Sequence, residues 1–89
     1  DAIRVIETPP LALIIRMRNV PIIDATGINI LKDVHKSASS RGTKLILAEV
    51  HSEQVMKELR QSRLVFLIGK ANILPTVDAA IRRYQQWKS

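Results

Sequence analysis

The chain contains no cysteine, which excludes a disulfide framework and a thiolate metal site and is compatible with a cytosolic location. It has no run of the roughly 18 apolar residues that a bilayer-spanning helix requires. Asp1 and Arg4 stand in an opening segment with no long apolar core, so no secretory signal is read there. Aromatic residues are scarce: one Trp, one Tyr and one Phe give little platform for stacking bases, and direct nucleic-acid binding is not expected. The three glycines, Gly27, Gly42 and Gly69, are isolated, so there is no glycine-rich phosphate loop. His35 and His51 lack the spacing of a metal pair. Ser52 follows His51 but has no recognisable nucleophile setting. Asp24 and Glu49 both fall near expected strand ends and read as a cap and a solvated end rather than a catalytic pair. No catalytic, metal or cofactor site is therefore expected, and the chain does not read as an enzyme.

What is present suits one small globular domain over residues 1–89, with 46% hydrophobic residues. Fourteen basic residues against eight acidic ones give a net charge of +6. The basic residues are scattered from Arg4 to Lys88 without a block. A balance of this sign can mean nucleic acid, an anionic membrane surface or an acidic protein partner.

Asp1 to Glu7 is too short for periodicity to choose between helix and edge strand, and Thr8-Pro9-Pro10 ends it. Leu11-Ala12-Leu13-Ile14-Ile15 is a continuous apolar run, as in a central parallel strand covered on both faces. Pro21 closes the segment, and Ile22 and Ile23 are expected to return to the core. A helix is predicted from Thr26 to about Ser40, with Gly27, Ile30, Leu31, Val34 and Ala38 on its inner face and Gly42 ending it. Lys44 to Glu49 reads as the next strand. Ser52 caps a helix running to about Ser62, with Val55, Met56 and Leu59 inward. Leu64 to Ile68 reads as a final strand broken by Gly69. Pro75 and Thr76 introduce a last helix whose inner stripe is Val77, Ala80, Ile81 and Tyr84. Alternating strands and helices predict an α/β fold of βα repeats, with a mainly parallel sheet flanked by helices.

The stretch from Asn19 to Leu31 joins the first central strand to the first helix. Asp24 can accept hydrogen bonds from the free N–H groups that begin the helix, where a carboxylate also suits the dipole; Thr26 is the alternative cap. Gly27 removes a side chain where the helix approaches the sheet. Such a junction, at the C-terminal end of a parallel strand, is where α/β folds place their working surfaces.

The segment Arg16-Met17-Arg18-Asn19-Val20-Pro21, followed by Ile22-Ile23-Asp24-Ala25-Thr26-Gly27, resembles the signature of the STAS domain. More narrowly, it resembles the version at the cytoplasmic C-terminus of SulP-type sulfate and anion permeases. Asn72-Ile73-Leu74-Pro75-Thr76 resembles a second, weaker signature. The resemblance runs roughly from Leu11 to Ile81. It implies the anti-sigma factor antagonist-like fold. Domains of this family usually begin with two further strands and a helix, so these N-terminal strands are expected to be absent, and the chain to be an incomplete STAS domain of a larger transporter.

The resemblance further implies a regulatory, protein-interacting role on the cytoplasmic face of the inner membrane. The partners it suggests are the membrane domain of the same transporter, a cytosolic regulatory protein, the nearby membrane surface and a second copy in a homodimer. The expected contact residues are Asp24, Ala25, Thr26, Gly27, Ile28, Asn29, Lys32 and Lys36. A free-standing anti-sigma factor antagonist is the alternative. In those proteins this turn carries a phosphorylated serine, but the matching position here is Ala25, which has no hydroxyl.

Overall fold

The computed structural model describes residues 4–8 and 12–88. Leu11 and the Pro9-Pro10 pair expected to end the first segment lie outside the described residues. Residues Arg4–Thr8 form strand β1, which pairs antiparallel with β2 (Ala12–Arg16), so the opening segment is a strand and not a helix. Beyond β2 come α1 (Ala25–Ser40), β3 (Lys44–Ala48), α2 (Glu53–Gln61), α3 (Leu64–Ile68), a 3-10 turn at Lys70–Asn72, β4 (Ile73–Leu74) and α4 (Val77–Lys88). The sheet order is β1-β2-β3-β4, with β2, β3 and β4 parallel. This is the expected α/β arrangement.

The two-residue alternation of a strand divides the core. Leu13 and Ile15 of β2, with Leu45 and Leu47 of β3, face α1, α2 and α3, where they meet Ile28, Leu31, Val55, Leu59, Leu64 and Ile68. Ala12, Ile14, Ile46 and Ala48 face the other way, against Ala80 and Tyr84 of α4. The apolar runs are continuous because both sheet faces are covered. Alanine at positions 12, 48 and 80 lets α4 lie close.

One element departs from expectation. Leu64–Ile68 is a helix, and the third parallel strand is Ile73–Leu74. A strand would send Leu64, Phe66 and Ile68 to one side. The structure instead buries Leu64 and Ile68, four residues apart, and leaves Phe66 80% exposed, which is helical spacing. Arg63 starts the turn in the left-handed region at φ 69°. Asn72 then anchors the way back to the sheet. Its Nδ2 donates to Ile68 O at 2.9 Å and its Oδ1 accepts from Arg83 Nε at 2.9 Å, so this buried amide is satisfied at both ends.

Three apolar residues are also misplaced by the simple stripes. Ile22 is exposed, and only Ile23 returns to the core. In α1, Ile28 is buried one turn before Leu31, whereas Ile30 is rotated by about 100° and is exposed. In α4, Ala80 and Tyr84 are buried and Ile81 is exposed.

Candidate functional site

The junction between β2 and α1 begins at Arg16, whose Nε donates to Glu49 Oε1 at 2.8 Å. Glu49 leaves β3 in the left-handed region, φ 62°, and its N–H donates to Leu74 O at 2.9 Å. Met17 N donates to Ala48 O at 2.8 Å, and its side chain is buried. The C-terminal ends of the three parallel strands are thereby tied together.

The loop then crosses to the start of α2, where two side chains hold it. Ile23 N donates to Gln54 Oε1 at 2.9 Å, and Gln54 Nε2 donates to Ile23 O at 3.0 Å, so the amide mimics a neighbouring strand. Ser52 Oγ donates to Pro21 O at 2.7 Å while accepting from Val55 N at 3.2 Å as the cap of α2. The value of the clamp is geometric, since a loop whose backbone groups are paired cannot open without exposing them.

Asp24 is the N-cap of α1. Its Oδ1 accepts from Gly27 N at 3.0 Å, and its carbonyl accepts from Ile28 N at 2.9 Å. The cap expected of Asp24, and not of Thr26, is the one formed. Gly27 is needed for a close approach to the loop rather than to the sheet: a Cβ there would lie 2.6 Å from Ile23 Cγ1.

The structure brings the expected contact residues together on one turn and helix, but they do not share one environment. Asp24, Ala25, Thr26, Asn29 and Lys36 are exposed, and Gly27 and Lys32 are half-buried. Ile28 is a correction. It lies in the core at 6% exposure and offers no surface to a partner; the exposed isoleucines nearby are Ile22 and Ile30. The sequence reading missed Gln54 and the second bond of Ser52. Their partners lie 31 residues away in the chain, and no local pattern marks such a clamp.

Asp24 and Glu49 are engaged separately, one as a cap and one with Arg16. His51 Nε2 lies 3.2 Å from Pro75 O, and His35 Nε2 3.5 Å from Ser39 Oγ. Among the described residues no three His, Cys, Asp or Glu side chains converge as metal ligands, and no helix is long and apolar enough to cross a membrane.

A parallel sheet with an antiparallel β1, three helices on one face, α4 on the other and a capped β2–α1 junction defines a STAS-type α/β domain. The profile of the STAS domain family matches residues 1–80. The chain belongs to the STAS domain family. It is 38% identical over 72 residues to high affinity sulfate transporter 1 of Stylosanthes hamata, and 39% identical over 69 residues to sulfate transporter 1.2 of Arabidopsis thaliana. These alignments take in 81% and 78% of this chain but 11% and 10% of the two transporters.

Two solved structures are similar throughout the fold. A sulfate transporter family protein from Wolinella succinogenes has a TM-score of 0.81 at 33% identity, covering 91% of this chain and 66% of that one. The SulP transporter STAS domain from Vibrio cholerae has a TM-score of 0.81 at 29% identity, covering 93% of this chain and 64% of that one. The chain is thus homologous to the STAS domains of SulP sulfate transporters.

Proposed function

We propose that this chain is the cytoplasmic regulatory and protein-interaction part of a SulP-type sulfate or anion permease, and that it performs no catalysis itself. In this reading the transport chemistry belongs to a membrane domain, and residues 1–89 form one folding unit attached to it. The turn and outer face of α1, namely Asp24, Ala25, Thr26, Gly27, Asn29, Lys32 and Lys36, meet the membrane domain or a cytosolic regulator. Homology to sulfate transporters supports the setting. The observation that carries the surface is the double clamp by Gln54 and Ser52, which holds an exposed turn in one shape. A preformed surface binds without the ordering cost of a mobile loop. Against the free-standing antagonist, Ala25 occupies the first position of α1 and offers no hydroxyl to a kinase.

Uptake of the anion by the full-length transporter tests this. Lys32→Glu reverses a half-buried charge on the outer side of α1 and should lower uptake at normal membrane expression. Asp24→Ala removes a cap worth about 1 kcal/mol and should lower uptake with a modest loss of thermal stability. Normal uptake by both variants would mean that the junction is only structural and that the contact lies elsewhere.

A further inference from the structure

Away from the β2–α1 junction, α3 carries a second surface. Leu64 and Ile68 anchor this short helix in the core, which turns Phe66 and Leu67 outward at 80% and 46% exposure. An exposed phenylalanine is the costliest apolar side chain this molecule leaves in water among its described residues. Phe66 and Arg63 stand between two open depressions and line both. Arg60 and Lys70 complete one of them, and Lys32 and Lys36 the other. Among the described residues no carboxylate lines either depression. None of these five cations takes part in an ion pair among the described residues.

We propose that the Phe66 crest, with its basic flank on each side, binds the surface of a bilayer rich in anionic phospholipid. A groove with an apolar floor and a basic rim would suit an acidic amphipathic helix. Here the apolar ring, at 80% exposure, stands with Arg63 between the two depressions and borders both, with the other cations lining one or the other. That arrangement suits a plane, with the ring entering the headgroup region and the cations meeting phosphates around it. The proposal rests on the preceding reading only in that a transporter's membrane domain would keep a bilayer close by.

The test is cosedimentation of the chain with mixed phosphatidylglycerol and phosphatidylcholine vesicles, against vesicles of phosphatidylcholine alone. Binding is expected to the anionic vesicles and to weaken with added salt. Arg60→Gln and Arg63→Gln should each lower the partition coefficient about fivefold, and Phe66→Ala roughly tenfold. Arg82→Gln, on α4 across the sheet, should change it little. Circular dichroism checks that each variant is folded; Phe66 and the arginines at 60, 63 and 82 are exposed, so the fold should survive.

Absence of binding to the anionic vesicles would overturn the proposal. So would equal losses for Arg82→Gln and Arg63→Gln, which would show unspecific charge attraction, or unchanged binding by Phe66→Ala. Phe66-dependent binding of a polyglutamate peptide without vesicle binding would assign the crest to an acidic protein segment and also overturn it. The vesicle measurement involves no transport. Lys32 belongs to both surfaces, so Asp24→Ala, which lies outside the crest, separates them: normal uptake by that variant would count against the α1 contact surface alone, and failed vesicle binding against the α3 crest alone.

Discussion

At Gly27 a single methyl group separates two opposing effects. Alanine would favour the helix by about 1 kcal/mol over glycine. Its Cβ, however, would meet Ile23 Cγ1 at 2.6 Å, and Ile23 cannot simply move aside, because its N–H and C=O are both held by Gln54. Overpacking of this kind costs about 1–3 kcal/mol, so Gly27→Ala should be destabilising by about 1 kcal/mol net. Denaturant unfolding measures it, and a stabilised variant would show that the loop is free to shift. Gln54→Ala should cost about 1–3 kcal/mol by leaving the half-buried backbone groups of Ile23 without their partner. At Ala25 and Thr26 no phosphoswitch is expected; stoichiometric phosphate on Thr26 with altered partner binding, seen by mass spectrometry, would contradict that. The role of Asp24 is legible in the sequence, because donor and acceptor are three residues apart. The Gln54 clamp is not, because it depends on where α2 is brought by the rest of the fold.

Among the elements, β2, β3, α1, α2 and α4 announce themselves by long apolar runs or by caps and periodicity. Helix α3 does not. Five apolar residues in a row fit a strand or a buried helical turn equally well, and periodicity has too little length to decide. The choice is made by tertiary context. Arg63 in the left-handed region breaks away from α2, and the buried Asn72 fixes β4 instead as the strand beside β3. The two readings predict opposite mutational patterns. With the helix, Leu64→Ala should cost about 2–5 kcal/mol, because Leu64 is fully buried. Phe66→Ala should stay within about 0.5 kcal/mol. A large loss on truncating Phe66 would restore the strand. The same ambiguity hid the exposed face of α3 and so the whole basic crest: read as a strand, Phe66 would point with Leu64 into the core.

At the scale of the molecule, the sheet lies between two unequal cores. The larger contains Leu47 and is closed by α1, α2 and α3. The smaller contains Ile46 and is closed, among the described residues, by α4, with Ala12, Ile14, Ala48, Ala80 and Tyr84. So few buried side chains cannot hold a helix independently, because ordering its residues costs about 1–2 kcal/mol each in backbone entropy. Helix α4 therefore depends on a sheet that the larger core stabilises. Other ties act in the same sense: Arg83 Nε donates to Asn72 Oδ1 at 2.9 Å, and Lys44 Nζ lies 4.9 Å from the ring centroid of Trp87. If residues 1–89 are one folding unit, α4 and the opposite face should unfold together. Trp87 is the chain's one tryptophan and sits near the end of α4 against Lys44, so its fluorescence reports whether the end of α4 is docked, while far-ultraviolet circular dichroism reports the whole. Ile46→Ala and Leu47→Ala are neighbours on β3 that empty opposite cores, each at a cost of about 2–5 kcal/mol. For both variants, as for the parent chain, the two probes should give coincident transitions. An early fluorescence transition in Ile46→Ala alone, with circular dichroism still largely native, would show that α4 detaches from the sheet on its own.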